Sequence, residues 1–303
     1  MLEDEKILIT GPAGRIAFPL ARTLAASNEV WGVARFSAPG SREEVDALGV
    51  RTLPVDLAEG SFDGLPTDFT YLLHIAHAHG DDYDEALRNN AEATGLLLEH
   101  CRTAKAALVM STLTVYRPHP DPWHPFREDD ALGDQKAVPA ATYSVSKIAQ
   151  EAVARYCARS LDLPVVIARM GSAYGDRAGL PRIHLDAIAA GEPVKTRWDP
   201  IPYSPIHDDD IAAQVEPLLD AATVPATIVN WCGDEAVSVQ EWSTHMGELL
   251  GVEPTIEVTP IECASHGSVG DTTKRRSLTG PCQVHWRDGF RRMVEHAYPE
   301  RVR

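Results

Sequence analysis

The stretch KILITGPAGRIAFPLARTL, Lys6 to Leu24, decides the fold of this chain. Its first five residues form a short apolar run that predicts a buried strand, and Gly11 and Gly14 then precede an apolar helical pattern. In this order, backbone N–H groups and the positive end of the helix face an anion, which glycine lets approach closely. The spacing is Gly-x-x-Gly-x-x-Ala, and Ala17 is small enough for close helix packing. We predict a pyrophosphate-binding turn; the alternative is a glycine turn that binds nothing.

Short apolar runs and helical patterns alternate along the rest of the N-terminal half. The further strand candidates are Glu29 to Ala34, Val50 to Val55, Tyr71 to Ala76, Ala106 to Ser111, Leu163 to Arg169 and Ala226 to Trp231, and the main helices are Asp81 to Cys101 and Tyr143 to Ser160. Such alternation predicts an α/β fold, a doubly wound parallel sheet that binds ligands at the carboxyl ends of its strands.

The expected domain organisation follows from where this alternation stops. Residues 1–170, with 205–233 returning to them, are expected to form a dinucleotide-binding domain. Residues 171–204 and 234–303 are expected to form a smaller, interleaved C-terminal substrate-binding cap. The long proline-rich segment from Tyr116 to Thr142 is predicted to be a lid.

Composition narrows the function classes. The 44 acidic and 28 basic residues give a net charge of −16, which disfavours nucleic acid and anionic membranes as partners. No apolar run is long enough to cross a bilayer and the N-terminus does not look like a signal peptide, so we expect a cytoplasmic protein. Five scattered cysteines without a Cys-x-x-Cys pair predict neither disulfides nor a thiolate metal site.

The residue after the second strand bears on the cofactor. In dinucleotide folds an acid at this position accepts the adenosine ribose hydroxyls and favours NAD. The sequence VWGVARFS has Arg35 there, followed by Ser37, with Arg15 of the glycine turn within plausible reach. A guanidinium pairs well with a 2′-phosphate, so NADP(H) is the preferred cofactor and NAD(H) a possible one. The alternative for Arg35 is a solvated cation at a strand end.

A tyrosine and a lysine lie four residues apart in ATYSVSKIAQ, at Tyr143 and Lys147. On a helix this spacing puts both side chains on one face. A phenol beside an ammonium can exchange a proton with a carbonyl or hydroxyl oxygen, since the cation stabilises the phenolate. The pair is therefore the candidate acid/base centre.

Together these features resemble the extended short-chain dehydrogenase/reductase family, a Rossmann-type group that includes NAD-dependent epimerases and dehydratases. The resemblance spans essentially the whole chain. Besides the glycine turn and the Tyr-x-x-x-Lys pair, it rests on Asp56-Leu57, HIAH (74–77), NNAEAT (89–94), STLTVY (111–116), ARMGSAYG (168–175) and IHDDDIA (206–212).

The resemblance implies roles for individual residues. The catalytic residues it implies are Thr112, Tyr143 and Lys147. The cofactor contacts are expected to be Gly11, Ala13, Gly14, Arg15, Ile16, Arg35, Ser37, Asp56, Leu57, Ala76, His77, Asn90, Met110, Tyr143, Lys147, Met170 and Ser172. The substrate contacts are expected to be Thr112, Tyr174, Trp198 and Tyr203.

Departures from the family pattern bear on the substrate. Sugar-nucleotide members usually carry an arginine where this chain has Tyr203, and the loop before Asp271 lacks a second one. Dehydratases usually have an Asp-Glu pair where this chain has Leu113-Thr114. These departures predict an NADP(H)-dependent ketoreductase or alcohol dehydrogenase for a small to medium, fairly apolar carbonyl or alcohol. The alternatives are an NAD-dependent sugar-nucleotide epimerase or dehydratase and an NADP-binding regulator without turnover.

Two further expectations concern metals and assembly. His74, His77 and His79 lie close in sequence, yet no carboxylate or thiol cluster accompanies them, so no metal is predicted. By the resemblance, the helices Asp81 to Cys101 and Tyr143 to Ser160 pair with their copies in a homodimer. The apolar positions expected to contribute on the second helix are Ala149, Ala152, Val153, Tyr156 and Cys157.

Overall fold

A computed structural model describes residues 2–133, 135, 141–177 and 179–301 of the chain. Its strands are β1 (Lys6–Thr10), β2 (Glu29–Ala34), β3 (Arg51–Pro54), β4 (Tyr71–His74), β5 (Ala106–Thr112), β6 (Pro125–Phe126), β7 (Val165–Met170), β8 (Ser172–Tyr174), β9 (Val194–Thr196), β10 (Pro202–Tyr203), β11 (Pro205–His207), β12 (Thr227–Trp231), β13 (Val237–Ser238), β14 (Ile256–Val258) and β15 (Val269–Gly270). Its α-helices are α1 (Ala17–Ala25), α2 (Ser41–Asp46), α3 (Tyr83–Ala86), α4 (Ala93–His100), α5 (Thr142–Leu161), α6 (Leu180–Ala190), α7 (Asp208–Asp220), α8 (Val239–Leu250), α9 (Thr273–Thr279) and α10 (Trp286–Ala297).

The chain divides into two compact units. Unit 1 comprises the described residues of Met1–Val115, Ala137–Arg169 and Ala212–Val229. Unit 2 comprises those of Tyr116–Lys136, Met170–Ile211 and Asn230–Arg303. The segment expected to be a lid contributes β6 to unit 2, while residues 134 and 136–140 of that segment lie outside the described part of the chain.

Unit 1 contains the central sheet, a seven-stranded parallel sheet of the Rossmann type with flanking helices. The strand order is β12-β7-β5-β4-β1-β2-β3, so the chain runs outward from β1 to β3 and then returns to the other side of β1 with β4. The order therefore reverses between β1 and β4, the place where ligands bind in open α/β sheets. The expected doubly wound fold is confirmed.

Apolar side chains from the strands and helices form the core of unit 1. Leu8, Leu72 and Ile167 on three strands are fully buried against Leu97 of α4 and Ala154 of α5. Helix α5 packs on β5 and α4, so its buried face lies over the carboxyl end of β5. This packing positions the first turn of α5 beside the end of a strand.

The helix expected over Asp81 to Cys101 contains a π-helical segment, Leu87–Glu92, between α3 and α4. Two side chains explain it. The Asn90 amide donates to the Ala86 carbonyl at 3.0 Å, and the Thr94 hydroxyl donates to the Asn90 carbonyl at 2.5 Å. Each carbonyl thus accepts a hydrogen bond from a side chain four residues further along the chain, which opens the i→i−4 ladder of backbone hydrogen bonds. π-Helical segments occur often at functional sites.

Unit 2 is built from short strand pairs and helices. Strand β8 pairs with β11, and β6 with β15, in parallel, while β10 and β13 are antiparallel. Helices α6, α8 and α10 pack together around an apolar core that includes Trp242 and Phe290. In the described part of the chain, no helix combines the length and the apolar character that spanning a membrane requires.

Candidate active site

The glycine turn after β1 has the geometry of an anion site. Gly11 has a φ of +65°, which residues with a Cβ rarely adopt, and a Cβ on it would lie 3.3 Å from Ala76. A Cβ on Gly14 would lie 3.0 Å from the Gly11 carbonyl oxygen. Helix α1 begins without a side-chain cap on Ile16 and without an acid in its first turn. Its positive end is therefore free of competing negative charge, and the turn fits the pyrophosphate of a dinucleotide.

Thr112 and Tyr143 meet at the end of β5. Thr112 is the last residue of β5 and is 6% exposed, and Tyr143 is the second residue of α5. Burial raises the pKa of Tyr143 above its ordinary value, and a hydrogen bond with the Thr112 hydroxyl opposes that rise. The Thr112 hydroxyl also accepts a hydrogen bond from the Thr114 backbone N–H at 3.2 Å. A phenol and a hydroxyl thus converge at one point, as an acid/base centre requires.

Lys147 lies one turn along α5 and is 2% exposed. Its ammonium donates to the Met110 carbonyl oxygen at 2.8 Å and to the Gln150 side-chain oxygen at 2.9 Å. Burial lowers the pKa of Lys147 to about 7, and the negative charge of Glu151 works in the opposite direction. A buried ammonium that titrates near neutrality is typical of functional sites.

Glu151 belongs to a separate buried cluster. Its carboxylate accepts two hydrogen bonds from Arg169, at 2.9 and 2.8 Å, and one from the Ser111 hydroxyl at 2.5 Å. Glu151 and Arg169 are each 2% exposed. The bidentate pair ties α5 to β7 and to the residue before Thr112, so it fixes the helix against the strand end.

His74 lies between two hydroxyls. Its Nδ1 is 2.9 Å from the Thr10 hydroxyl oxygen, and its Nε2 is 2.8 Å from that of Thr94. Burial lowers the pKa of His74 to about 3, and the Lys147 charge contributes to the decrease. Both ring nitrogens are therefore bound to hydroxyls, and the His74 side chain is neutral. Neither nitrogen is available to bind a metal together with His77 and His79. Within the described ranges, no group of three or more His, Cys, Asp and Glu could hold a metal ion.

His77 and His79 surround the Tyr143 ring. The His77 ring centroid is 4.7 Å from that of Tyr143 in an edge-to-face arrangement, and the His79 ring stacks at 6.1 Å. Burial, followed by the charge of Lys147, lowers the pKa of His77 to about 2. Its Nδ1 is buried without a hydrogen-bond partner, so this neutral imidazole presents one unsatisfied polar atom beside the phenol.

The other cofactor residues expected in unit 1 lie on segments that follow strands. Arg35 and Ser37 follow β2 and are exposed. Asp56 and Leu57 follow β3, where the Asp56 carboxylate accepts from the Ala58 backbone N–H at 3.0 Å and caps a short 3₁₀ helix. The remaining residues expected in unit 1 lie in the glycine turn, after β4, in the π-helical segment and in β5, and they are Ala13, Gly14, Arg15, Ile16, Ala76, Asn90 and Met110.

The expected contacts on unit 2 have different surroundings. Tyr174 is 1% exposed and packs against Phe290 with ring centroids 4.6 Å apart, so it is a core side chain, and its expected contact with a substrate stays a prediction. Trp198 stacks on His266 at 3.6 Å, and Tyr203 stacks on Trp242 at 5.6 Å. Both are half-buried and remain candidates. The residues expected to contact the cofactor from unit 2 are Met170 and Ser172.

The comparisons with known proteins decide the family. The sequence model of the NAD dependent epimerase/dehydratase family matches residues 7–194, more than half of the chain. The chain belongs to this family. The resemblance to the extended short-chain dehydrogenase/reductase family is thereby confirmed, and the family membership makes the chain an NAD-dependent enzyme of that type. No curated protein sequence matches the chain.

Solved structures of this fold match over nearly the whole length. One is the UDP-glucuronic acid 4-epimerase of Bacillus cereus in complex with UDP-glucuronic acid and NAD, with 20% identity, a TM-score of 0.80 and coverage of 96% of this chain and 98% of that one. A second is the UDP-glucose 4-epimerase of Thermotoga maritima with UDP-glucose, with 20% identity, a TM-score of 0.83 and coverage of 97% and 99%. A third is the UDP-N-acetylglucosamine 4-epimerase of Methanobrevibacter ruminantium in complex with UDP-N-acetylmuramic acid, with 18% identity, a TM-score of 0.84 and coverage of 99% and 100%.

These comparisons correct the expected function. The ketoreductase or alcohol dehydrogenase interpretation is wrong, because the epimerase/dehydratase family matches and the similar structures are UDP-sugar 4-epimerases. That interpretation depended on two missing arginines, one at the position that Tyr203 occupies and one in the loop before Asp271. Two missing cations do not exclude a diphosphate, since backbone N–H groups and cations at other positions also compensate it. A nicotinamide dinucleotide cofactor is supported, and NAD is the form bound in the Bacillus cereus structure.

The sequence interpretation missed the buried polar residues behind the catalytic pair. These residues are Thr10, His74 as a hydroxyl partner, Thr94, Ser111, Gln150, Glu151 and Arg169. One signal was present: Gln150 and Glu151 are polar residues on the same buried face of α5 as Ala154 and Cys157. Polar residues at core positions need partners, so they mark a network.

Proposed function

We propose that this protein is an NAD-dependent epimerase that inverts one hydroxyl-bearing carbon of a nucleotide-linked sugar. The observation that carries the proposal is the arrangement of Thr112, Tyr143 and Lys147 at the end of β5 in a chain of the epimerase/dehydratase family. The sugar nucleotides in the names of the similar enzymes, UDP-glucose, UDP-glucuronic acid and UDP-N-acetylglucosamine, define the first candidates.

In this proposal, a nicotinamide dinucleotide held by the glycine turn and Lys147 would supply the hydride acceptor and donor that inversion of the sugar carbon requires. Tyr143 takes the hydroxyl proton as the carbon is oxidised and gives it back when the carbon is reduced. The Thr112 hydroxyl holds the same sugar oxygen and fixes it against the phenol. Lys147 supplies the positive charge that stabilises the phenolate, because an ammonium nearby favours the charged form of an acid.

Epimerisation is favoured over dehydration by the residues after Thr112. Loss of water from the neighbouring carbon needs an acid and a base of its own. The chain has Leu113 and Thr114 there; Leu113 is 2% exposed, and the Thr114 hydroxyl lies 3.1 Å from that of Thr112. Neither side chain supplies a carboxylate, so the chemistry stays at the carbon that faces Tyr143.

The residues that would hold the cofactor follow from the same geometry. The backbone of Gly11 and Gly14 and the uncapped start of α1 would hold the pyrophosphate, and Lys147 the nicotinamide ribose. Arg35 is an exposed cation after β2 where an acid would favour NAD. We propose that Arg35 makes the affinity for NADP(H) higher than that for NAD(H), which distinguishes this chain from the NAD-bound structures.

A homodimer is the proposed assembly. Four residues on α5 are spaced at i, i+4, i+7 and i+11 outside the face that packs on the sheet, namely Val145, Ala149, Ala152 and Tyr156. Of the positions expected from the sequence, Cys157 lies in the core of unit 1 and Val153 packs against that core, so neither contributes to this exposed face. Tyr156 is 70% exposed and Val145 is 42% exposed. On the neighbouring helices, Tyr83 is 50% exposed and Leu96 is 44% exposed. A second copy of these helices would cover an apolar face of this kind.

The expected cytoplasmic location stays a prediction.

The test uses UDP-glucose, UDP-glucuronic acid and UDP-N-acetylglucosamine in D₂O, with NAD or, separately, NADP in amounts far below the sugar. We expect proton NMR to show the epimer of at least one sugar, without solvent deuterium at the inverted carbon and without reduced dinucleotide accumulating. Solvent deuterium at that carbon, or no epimer from any of the three, would overturn the proposal.

A further inference from the structure

Among the described residues, the Lys147 ammonium has two acceptors, and one of them is a side chain. The Met110 carbonyl belongs to the backbone of β5 and any residue there supplies it, whereas Gln150 supplies its Oε1 at 2.9 Å. Gln150 is fully buried. The direction of the ammonium therefore depends on where the Gln150 amide is held.

The Gln150 amide is held by Thr94. Its Nε2 donates to the Thr94 hydroxyl oxygen at 3.0 Å, and that hydroxyl donates its own proton to the Asn90 carbonyl at 2.5 Å. A hydroxyl has one proton and accepts two hydrogen bonds. The amide must face Thr94 with its nitrogen, since the proton of Thr94 is already used, and its oxygen is left for Lys147.

The second bond that Thr94 accepts comes from His74. The Thr10 hydroxyl accepts the backbone N–H groups of Ile75 and Ala76, at 3.0 and 2.9 Å, so its proton is available to His74 Nδ1. His74 then carries its proton on Nε2 and donates it to Thr94, as a neutral imidazole does. The three bonds that join Thr10, His74, Thr94 and Gln150 thus each pair one donor with one acceptor. This chain of bonds begins at Thr10, the residue before the glycine turn.

We propose that Gln150 is a positioning residue that fixes the direction of the Lys147 ammonium, one turn of α5 from Tyr143, and that Thr94 and His74 hold Gln150 in that orientation. The inference rests on the proposed roles of Tyr143 and Lys147 in epimerisation. It assigns a function in the reaction to a glutamine that would otherwise be a buried polar side chain of the core.

The groups around Lys147 include one buried ion pair and three imidazoles. Glu151, on the same helix, is paired with Arg169 of β7. His74 of β4, and His77 and His79 after it, are imidazoles whose pKa values are lowered first by burial and further by the charge of Lys147. No carboxylate bonded to Lys147 is present among the described residues, so Gln150 is the side chain that binds its ammonium directly, while the charge of Glu151 favours the charged form without a bond.

The experiment measures the ionisation of Lys147 without turnover. The affinity for NADH is measured by fluorescence against pH for the full chain and for its Lys147→Met counterpart, and the difference isolates the contribution of Lys147. The same pairs are made with Gln150→Leu, which removes the acceptor, and with Gln150→Glu, which keeps an oxygen and adds a negative charge. Gln240→Leu is the matched control, since Gln240 lies in unit 2, where its side-chain oxygen accepts from the Ile201 backbone N–H at 3.2 Å and its nitrogen donates to the Trp198 carbonyl at 3.5 Å.

We expect Gln150→Leu to lower the pKa of Lys147, because its charged form loses a side-chain acceptor, and Gln150→Glu to raise it, because a carboxylate beside the ammonium favours the charged form. NADH affinity, followed by fluorescence, should fall about tenfold or more in Gln150→Leu, the size of one lost hydrogen bond to a charged group. Gln150→Met replaces the leucine variant if that one does not fold.

Opposite shifts in the two variants would support the inference, because a purely structural glutamine would move both in one direction or neither. An unchanged Lys147 titration in both variants, or the same shift in Gln240→Leu, would overturn it. Because neither readout needs turnover, a chain that epimerises no sugar would still report on Gln150, and the two proposals fail separately.

Discussion

Lys147 and Glu151 lie one turn apart on α5, yet each binds a different partner. The Lys147 ammonium donates to Met110 and Gln150, while the Glu151 carboxylate binds Arg169 through two hydrogen bonds. The negative charge is thus committed to an ion pair that joins helix and strand. The ammonium keeps neutral acceptors, and burial lowers its pKa to about 7. One turn of helix thereby separates a structural charge pair from a chemically available cation.

The Glu151–Arg169 pair should be a large contributor to stability. Glu151→Gln leaves a buried guanidinium without its counter-charge, so we expect the free energy of unfolding to fall by roughly 3 to 5 kcal/mol. Urea unfolding followed by circular dichroism measures this. The matched control is Glu29→Gln, whose partner Arg51 lies on the exposed edge of the sheet, where we expect a loss of less than about 1 kcal/mol. Equal losses in the two variants would contradict the assignment.

Acid should destabilise the fold through His74. Its pKa in the folded chain is about 3, well below the ordinary 6.5, first because of burial and then because of Lys147. The unfolded chain therefore binds a proton more readily, and the stabilisation present above pH 6.5 is lost as the pH falls toward 3. For one such group the loss between pH 7 and pH 5 is about 2 kcal/mol. The free energy of unfolding of His74→Gln should depend less on pH over that interval, and an unchanged slope would exclude His74 as the source.

The cofactor preference should depend on Arg35. A charge-assisted hydrogen bond to a 2′-phosphate is worth about 1.5 to 3 kcal/mol, or roughly ten- to a hundredfold in affinity. We expect NADPH to bind more tightly than NADH to the unmodified chain, and Arg35→Asp to erase or reverse that order. Fluorescence titration with both dinucleotides measures it, with Arg22→Asp on α1 as the control for a change of surface charge. Equal affinities in the unmodified chain would show that Arg35 is a solvated cation.

The dimer should depend on Tyr156. A glutamate at this 70% exposed position would bring two like charges together if the α5 helices of two copies pair. We expect sedimentation at micromolar concentration to show a dimer for the unmodified chain and a monomer for Tyr156→Glu. A chain that is already a monomer at that concentration would refute the proposed interface.

The seven strands of the central sheet could be predicted from the sequence because each is a short apolar run. The run Lys6 to Thr10 has the same first and last residues as β1. The predicted strand Val50 to Val55 extends one residue beyond β3 at each end. The π-helical segment could not be predicted, because it depends on side-chain bonds from Asn90 and Thr94 to backbone carbonyls. Hydrophobic periodicity contains no information on such bonds.

The catalytic pair could be predicted from its spacing, whereas the network behind it could not. Tyr143 and Lys147 are four residues apart on one helix. Gln150 reaches Thr94 across 56 positions of sequence, and His74 reaches Thr94 across 20, so both bonds exist only once the sheet has formed. The substrate class was wrongly predicted because missing arginines and aromatic composition do not define a site.

The exchange of a proton at Tyr143 is the step on which the proposed epimerase depends. Tyr143→Phe keeps the ring against His77 but removes the hydroxyl, so NADH should bind as before. The rate of epimerisation of the sugar nucleotide that the unmodified chain converts, followed by proton NMR at saturating substrate, should fall by about 10² to 10⁴. A Tyr143→Phe variant that forms the epimer at close to the unmodified rate would contradict the proposal.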